Sequence, residues 1–229
     1  MGAFLAVAKG SVEEPKLIVL RYWGDRQHPD NNLGIVGKGI TFDSGGLNLK
    51  ALYDKLHEMK GDMAGGAAVL AAIKAIAQLK PKLNVTAIVP ATENLPSGSA
   101  TRAGDIVRAM NGKSVEIENT DAEGRLALAD AVCYARKLGL KRLVDVATLT
   151  GAITIALGDV RMGAFGNNQE WTDRVLKAGQ AAGEPMWPFP LDAEYKEQNK
   201  SKVADIKNTG GRPAGSITGA LFIGEFAED

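Results

Sequence analysis

Residues 119–125 read Asn-Thr-Asp-Ala-Glu-Gly-Arg and stand directly before an apolar run at helical spacing. Asp121 and Glu123 are two positions apart, so both carboxylates face one side of an extended or turn segment, whereas on a helix they would diverge. Two oxygen ligands from one loop suit a divalent cation, and Arg125 beside them suits an anion. The alternative is a helix N-terminus whose acids favour the helix dipole. This heptapeptide predicts a loop-to-helix junction that carries either a metal site or helix-stabilising acids.

A second polar segment precedes the heptapeptide. Residues 36–46 read Val-Gly-Lys-Gly-Ile-Thr-Phe-Asp-Ser-Gly-Gly, with Lys38 and Asp43 five positions apart and glycines on both sides. Lys50 and Asp62 follow in the next loop region. Together with the two acids of the heptapeptide, these make four carboxylates from three separate loops. Four anions that face one another repel strongly, so their convergence would itself imply bound metal.

The rest of the chain alternates short apolar strands with amphipathic helices, which indicates a sheet covered on both faces, an α/β/α sandwich. Strands are predicted at 17–22, 33–36, 84–90, 114–118, 142–147 and 161–166. Helices are predicted at 62–79, with Asp62 as the cap, and at 126–138, 168–182 and 215–227. Residues 93–104 and 187–190 are predicted to lack regular structure. Lys38 and Asp43 then fall at the carboxyl end of a strand, where open α/β sheets place their ligands.

The composition of the sequence argues against several classes of protein. The 229 residues are enough for one large domain with a sizeable core. Lys and Arg total 27 and Asp and Glu total 27, so nothing favours nucleic acid or an anionic membrane surface. A single cysteine, Cys133, excludes an internal disulfide and fits a reducing compartment. We expect no membrane span, because no apolar run approaches 18 residues, and the first residues lack signal-peptide features.

The motifs at 36–46, 50, 59–63 and 119–125 together resemble the leucyl aminopeptidase family, the two-metal cytosolic aminopeptidases, whose signature is the heptapeptide. The resemblance runs over residues 1–229 and corresponds to most of the family's C-terminal catalytic domain. It implies an α/β fold, a three-layer α/β/α sandwich with a mixed central sheet of the zinc-exopeptidase type. It also implies a cytoplasmic protein that is a homo-hexamer when intact. The family's N-terminal domain and final C-terminal segment are expected to be missing from this chain.

The resemblance also implies a role for each matching residue. Two divalent metal ions, zinc or manganese and possibly magnesium in type, are expected at Lys38, Asp43, Asp62, Asp121 and Glu123. Of these, Asp43 and Glu123 would bridge the metals, and Lys38 would have to bind as the neutral amine. Lys50 would stay charged and stabilise the oxyanion, while Arg125 would hold a bicarbonate that acts as general base. Peptide substrates with a free N-terminus are expected to contact Met59, Asn119, Thr148, Leu149 and Gly151.

The leading hypothesis is therefore a metal-dependent aminopeptidase that releases N-terminal residues, with leucine-like residues preferred. A two-metal phosphoesterase is a second hypothesis, because paired carboxylates serve both reactions. It is weakened because Lys38 and Lys50 are the only other cations near the acids, and no histidine ligand is evident. A third hypothesis is a structural relative or a catalytically incomplete fragment, although all five expected ligands are present in the sequence.

Overall fold

The computed structural model of the chain describes residues 1–51 and 55–227. Its strands are β1 Lys16–Trp23, β2 Asn32–Gly37, β3 Gly39–Asp43, β4 Asn84–Asn94, β5 Ile106–Arg108, β6 Ser114–Glu116, β7 Leu143–Val146, β8 Met162–Ala164, β9 Met186–Pro188 and β10 Ile206–Lys207. Its α-helices are α1 Gly2–Ala8, α2 Ala64–Leu79, α3 Gly124–Lys137, α4 Gly151–Leu157, α5 Gln169–Ala182 and α6 Gly215–Gly224. Two 3-10 helices span Leu56–Gly61 and Ala193–Asn199.

The main sheet is mixed and is built around β4, its longest strand. β1 pairs antiparallel with one edge of β4, and β2 and β3 pair parallel with the other edge. β7 lies parallel to β2 on the outside. β2 and β3 are nearly one continuous strand, interrupted only at Lys38. The Lys38 N–H donates to the Val146 carbonyl (3.0 Å), and its carbonyl accepts from the Gly66 N–H (2.7 Å). This break in the strand frees the Lys38 side chain for the site described below.

Helices cover both faces of this sheet. On one face α2 packs against β4 through a buried cluster of Val69, Ile73, Val85, Ala87 and Val89. On the other face α3 packs against β2 and β4 through Val36, Ile88, Leu128, Ala131 and Val132. Successive strand residues point to opposite faces, which is why Ala87 and Ile88 belong to different clusters. The predicted three-layer α/β/α sandwich with a mixed sheet is confirmed.

Three local predictions are wrong. Asp62 does not cap α2: the N-cap position is Met63, and Asp62 ends the preceding 3-10 helix with its carboxylate turned towards Lys38. The Trp-Pro segment does form a strand, β9, which pairs with β8. Pro188 is tolerated there because it ends a short strand, where a missing N–H breaks no ladder. β4 extends to Asn94, beyond its predicted end, because its last residues pair with β3.

One helical segment among the described residues, Leu56–Leu79, is long and apolar enough by length and composition to cross a membrane, with a mean hydropathy of 1.3. The expectation of no membrane span stays a prediction. The segment joins the first 3-10 helix to α2, in which Val69 and Ile73 are buried against the sheet.

Asp130 on α3 connects the N-terminal helix to the rest of the fold. It is completely buried, and its carboxylate accepts hydrogen bonds from the Phe4 N–H (3.0 Å) and the Met110 N–H (2.7 Å). The first of these is an N-terminal amide of α1, which has no partner within its own helix. The Asp130 side chain therefore stabilises both the start of α1 and the turn that follows β5.

We expect Asp130→Ala to lower the free energy of unfolding by about 2–5 kcal/mol, because each buried N–H left without a partner costs about 1–3 kcal/mol. Urea unfolding followed by circular dichroism measures this difference. Glu184→Ala, which removes an exposed acid, is the control and should leave stability close to that of the unmodified chain. Equal stability of the two variants would contradict the role given to Asp130.

Candidate metal centre

The acidic and basic residues predicted from the sequence converge where strands end and helices begin. Lys38 lies at the break between β2 and β3, and Asp43 is the last residue of β3. Asp62 stands two residues before α2, and the heptapeptide leads directly into α3. These are the carboxyl ends of parallel strands and the adjoining helix starts, which is where open α/β folds place their sites.

Lys38 sits between two of the acids. Its Nζ lies 2.8 Å from Asp62 Oδ1, 2.7 Å from Asp62 Oδ2, 2.8 Å from Glu123 Oε1 and 2.9 Å from the Thr148 carbonyl oxygen. Its hydrogen bonds go to Asp62 Oδ1 and the Thr148 carbonyl. Asp62 Oδ2 and Glu123 Oε1 have ion-pair contact with Lys38 but no hydrogen-bond partner among the described residues. Both oxygens are buried and point into the cluster.

Lys50 occupies the matching place beside the other two acids. Its Nζ lies 2.9 Å from Asp43 Oδ2 and is also hydrogen-bonded to Asp121 Oδ1. Asp43, Asp121 and Glu123 each offer a carboxylate oxygen within 4.8 Å of the other two. The structure thus brings together the five residues predicted as metal ligands and, beside them, Lys50.

Gly124 is required for this arrangement. A Cβ at position 124 would lie 2.4 Å from Lys38 Cε and 2.7 Å from its Nζ. Lys38 is only 2% exposed and is held by two acids, so it has no free space into which to move. The glycine that starts α3 therefore lets the Lys38 side chain cross the end of the helix.

Crowding of the charges shifts their pKa values. Burial raises the pKa of Asp62 to about 7; Lys38 opposes this rise and Glu123 adds to it. Burial likewise raises the pKa of Asp121 to about 6, opposed by Lys50. Burial by itself would lower the pKa of both lysines, but the acids they contact outweigh it and raise both values. Without metal, both lysines are therefore charged and supply the cations that the acids need.

These shifts predict how the stability of the metal-free chain depends on pH. A carboxyl group whose pKa is raised by folding contributes stability below its unfolded pKa and loses it as the pH rises through the folded pKa. For Asp62 and Asp121 that window runs from about pH 4 to about pH 7. Asp25 and Asp205, whose pKa values are lowered by folding, change the free energy of unfolding at pH values below this window.

We therefore expect the free energy of unfolding in EDTA to fall by about 2–4 kcal/mol between about pH 5 and about pH 8. Urea unfolding at the two pH values measures it. Asp62→Asn removes the largest contribution and should flatten the dependence. A chain that becomes more stable over this range would contradict the assigned pKa shifts.

The donor set fits divalent metal ions. Carboxylate oxygens are the ligands that magnesium and manganese prefer, and zinc also accepts them. Two buried carboxylate oxygens, Asp62 Oδ2 and Glu123 Oε1, have no hydrogen bond among the described residues. Lys38 fits only after it loses its proton, which a neighbouring dication favours.

Arg125 lies on the first turn of α3 and is almost completely buried. Its Nε and Nη1 have no hydrogen-bond partner among residues 1–51 and 55–227, and burial lowers its pKa to about 10. Gly219 of α6 faces it, and a Cβ there would lie 3.3 Å from Arg125 Nη2. An unpaired buried guanidinium with fixed N–H groups fits a planar anion.

The residues predicted to contact substrate lie around this cluster in different ways. Thr148 is part of it, since its Oγ1 donates to Asp62 Oδ1 (2.8 Å). The Asn119 side chain instead accepts from the Asp121 N–H (2.9 Å) and so shapes its own loop. Leu149 lies beside Gly219 near Arg125. Met59 is in the 3-10 helix that leads to Asp62, and Gly151 starts α4.

Sequence reasoning missed Asn94, the last residue of β4. Its Nδ2 donates to Asp43 Oδ1 (2.8 Å) and to the Thr120 carbonyl (3.0 Å), which connects a predicted ligand to the heptapeptide. Thr120 is also held by Asn48, whose Oδ1 accepts from the Thr120 N–H (2.9 Å). The signal was present in the sequence: a polar residue at the carboxyl end of a buried parallel strand lies at the ligand edge of the sheet.

The chain is similar to known proteins over its whole length. The family described as the cytosol aminopeptidase family, catalytic domain, matches residues 1–229. A probable cytosol aminopeptidase of Solibacter usitatus (strain Ellin6076) is 56% identical over 229 residues, which are 100% of this chain and 48% of that protein. The corresponding protein of Alkaliphilus metalliredigens (strain QYMF) is 54% identical over 228 residues, 100% of this chain and 45% of that protein. The chain spans about half the length of the curated relatives it matches, and it belongs to the cytosol aminopeptidase family.

Proposed function

We propose that the protein is a metal-dependent aminopeptidase that releases N-terminal residues, with leucine-like residues preferred, from peptides. The observation that carries the proposal is the convergence of the buried acids Asp43, Asp62 and Glu123 and the partly exposed Asp121 with two lysines. Membership of the cytosol aminopeptidase family supports the same reaction. The two lysines offset only two of the four carboxylates, and this excess of negative charge supports metal ions as a further source of positive charge.

The five ligands would hold two divalent ions, zinc, manganese or magnesium in type. When bound, the metals supply a water activated for attack and polarise the scissile carbonyl. Asp43, held by the Asn94 amide and the Gly45 N–H (3.0 Å), would present its carboxylate in a fixed direction. Glu123 would do so from the start of α3. Their orientation is set by the fold before substrate arrives, which is what effective electrostatic stabilisation requires.

Two cationic residues would act on the reacting groups. Lys50, with a raised pKa, stays protonated and would donate to the oxyanion that develops on the substrate carbonyl. Arg125, with unpaired N–H groups, would hold a bicarbonate whose oxygen accepts the proton of the attacking water. Lys50 is half-buried beside Asp43 and Asp121, so its charge is well placed to act where water is partly excluded.

The substrate's free α-amine would bind near Asp62, so that a single residue is released from the N-terminus. Thr148 fixes Asp62 by its hydroxyl and Lys38 by its carbonyl, and would therefore shape the place where the amine enters. The surrounding positions Met59, Asn119, Leu149 and Gly151 would contact the peptide. We also infer a cytoplasmic homo-hexamer for the intact protein, as expected from its family.

Hydrolysis of leucine p-nitroanilide after loading with Mn²⁺ or Zn²⁺ tests the proposal, with metal content measured on the same samples. For the intact protein we expect release of p-nitroaniline that requires metal and that stops when the substrate is N-acetylated, because the blocked amine cannot bind. Hydrolysis of p-nitrophenyl phosphate without hydrolysis of the anilide would instead identify a phosphoesterase. Equal rates on the free and acetylated anilides would refute an aminopeptidase.

A further inference from the structure

Asn208 is a completely buried residue that the metal centre does not use directly. It follows β10, which pairs parallel with β6, and its backbone N–H extends that ladder by donating to the Glu116 carbonyl (2.9 Å). β6 is the strand that leads into the heptapeptide. Asn208 therefore stands where regular pairing ends and the loop with Asp121 and Glu123 begins.

The side-chain amide of Asn208 is fully occupied by this loop. Its Oδ1 accepts from the Glu118 N–H (3.0 Å) and the Asn119 N–H (3.2 Å). Its Nδ2 donates to the Asn119 carbonyl (2.6 Å) and the Ala122 carbonyl (3.2 Å). An asparagine amide offers two acceptor lone pairs and two donor protons, so all four of its hydrogen bonds go to one stretch of backbone.

We infer that Asn208 is a positioning residue for metal binding: it fixes the backbone on both sides of Asp121 and so holds that ligand and Glu123 towards Asp43. The inference rests on the proposed function, because it takes these acids as metal ligands. Asn48 and Asn94 hold the loop only at Thr120. Among these three asparagines, only Asn208 forms hydrogen bonds with Glu118 and Asn119, which precede Thr120, and with Ala122, which lies between the two acids.

Chemistry explains why an asparagine is needed at this position. Aspartate has the same shape but no donor, so it would place a charged oxygen against the Asn119 and Ala122 carbonyls. An apolar residue would remove the partner of the Glu118 and Asn119 N–H groups and of the Ala122 carbonyl, whereas the Asn119 carbonyl would keep the Ala122 N–H (3.2 Å). Only a primary amide of this length satisfies both kinds of group at once. Outer residues that orient ligands commonly change metal affinity or activity by about 10–100-fold when replaced.

The test compares Asn208→Asp with Asn199→Asp in the 229-residue chain. Asn199 is also buried, and its Nδ2 donates to the Thr218 carbonyl of α6 and not to the heptapeptide. Both variants bury a carboxylate and should lower the melting temperature. We expect only Asn208→Asp to weaken Mn²⁺ binding, by about 10–100-fold in calorimetric titration, and only Asn208→Asp to speed hydrogen–deuterium exchange in residues 118–122.

Mn²⁺ affinity and loop exchange unchanged in Asn208→Asp, or altered equally in Asn199→Asp, would overturn the inference. If Asn208→Asp shows no cooperative unfolding, Asn208→Ser, which adds no charge, is measured in the same two ways. The unmodified chain gives a third reading: Mn²⁺ should slow exchange in 118–122 and 206–209 together, and slowing of the loop alone would count against Asn208. Mn²⁺ binding without hydrolysis of the anilide by the intact protein would refute the proposed function but not this role. Absence of Mn²⁺ binding by the unmodified chain would overturn the inference, because the inference takes these acids as metal ligands.

Discussion

Glu123→Gln is expected to remove at least one metal ion and most of the hydrolysis of leucine p-nitroanilide. Glu123 is 2% exposed, and its Oε1 has the Lys38 ammonium beside it but no hydrogen bond among the described residues. A carboxamide keeps the shape but loses the negative charge. Loss of a partner near a metal costs about 10–100-fold in affinity or activity, and we expect replacement of a residue proposed to bridge two ions to cost more. Metal stoichiometry by mass spectrometry and kcat/KM measure the two effects.

The matched control is Glu118→Gln in the same loop. Glu118 is exposed, and its carboxylate pairs with Lys207 (3.0 Å) rather than with the cluster. Exposed ion pairs contribute about 0–1 kcal/mol, so this variant should keep both metals and nearly all activity. Asp121→Asn should resemble Glu123→Gln. A Glu123→Gln enzyme with two metals and ordinary turnover would show that Glu123 is not a ligand.

The layers of the fold follow from sequence patterns that are short in range. β2, β4 and β7 are apolar runs, and α2 and α3 carry apolar residues at helical spacing, so the sandwich follows from burying both faces of one sheet. Elements that depend on distant partners were not predicted. α1 is one of these elements, because the N–H of its residue Phe4 donates to the Asp130 carboxylate, 126 positions away in the chain. No local pattern in residues 2–8 predicts that hydrogen bond.

The candidate site shows the same limit more clearly. Asp121 and Glu123 are conspicuous in the sequence because they are only two positions apart. Lys38 by composition alone would be a solvated lysine, and only the break between β2 and β3 buries it. Asp62 has the sequence context of a helix cap, yet Lys38 and Thr148 hold its carboxylate in the cluster. Whether Asp62 caps a helix or joins the cluster therefore depends on which residues the fold places beside its carboxylate.

The asparagines that shape the site are the hardest residues to predict. Asn94 and Asn208 look like ordinary loop or strand-end residues, because asparagine is common in turns. Their importance lies in bonding backbone groups of a segment far away in the sequence. Backbone groups carry no sequence signature, so the hydrogen bonds of Asn208 to them cannot be predicted. Asn94 could be inferred only from its place at the carboxyl end of a buried strand, which gives its position but not its partners.

Lys50→Ala is expected to lower kcat by about 10²–10³-fold, because removal of one preorganised donor to an oxyanion has that effect. KM should change much less, since the charge is needed chiefly where negative charge develops in the transition state. The side chain of Lys50 is 14% exposed and contacts Asp43 and Asp121, so it also balances two predicted ligands. Bound metal ions can take over that balance, and we therefore expect both metals to remain. Steady-state kinetics with metal analysis on the same preparation measures the separate effects.

Lys55→Ala is the control for Lys50, because Lys55 lies nearby in the chain, is exposed, and pairs with Glu58 in the next helix (3.2 Å). It should leave kcat, KM and metal content unchanged. A Lys50→Ala enzyme that raises KM alone would make Lys50 a residue for ground-state binding. Loss of a metal together with kcat would instead show that Lys50 acts through the orientation of Asp43 and Asp121. Only a fall in kcat with two metals retained fits direct stabilisation of the oxyanion, because the ligands then remain in place while the donor is gone.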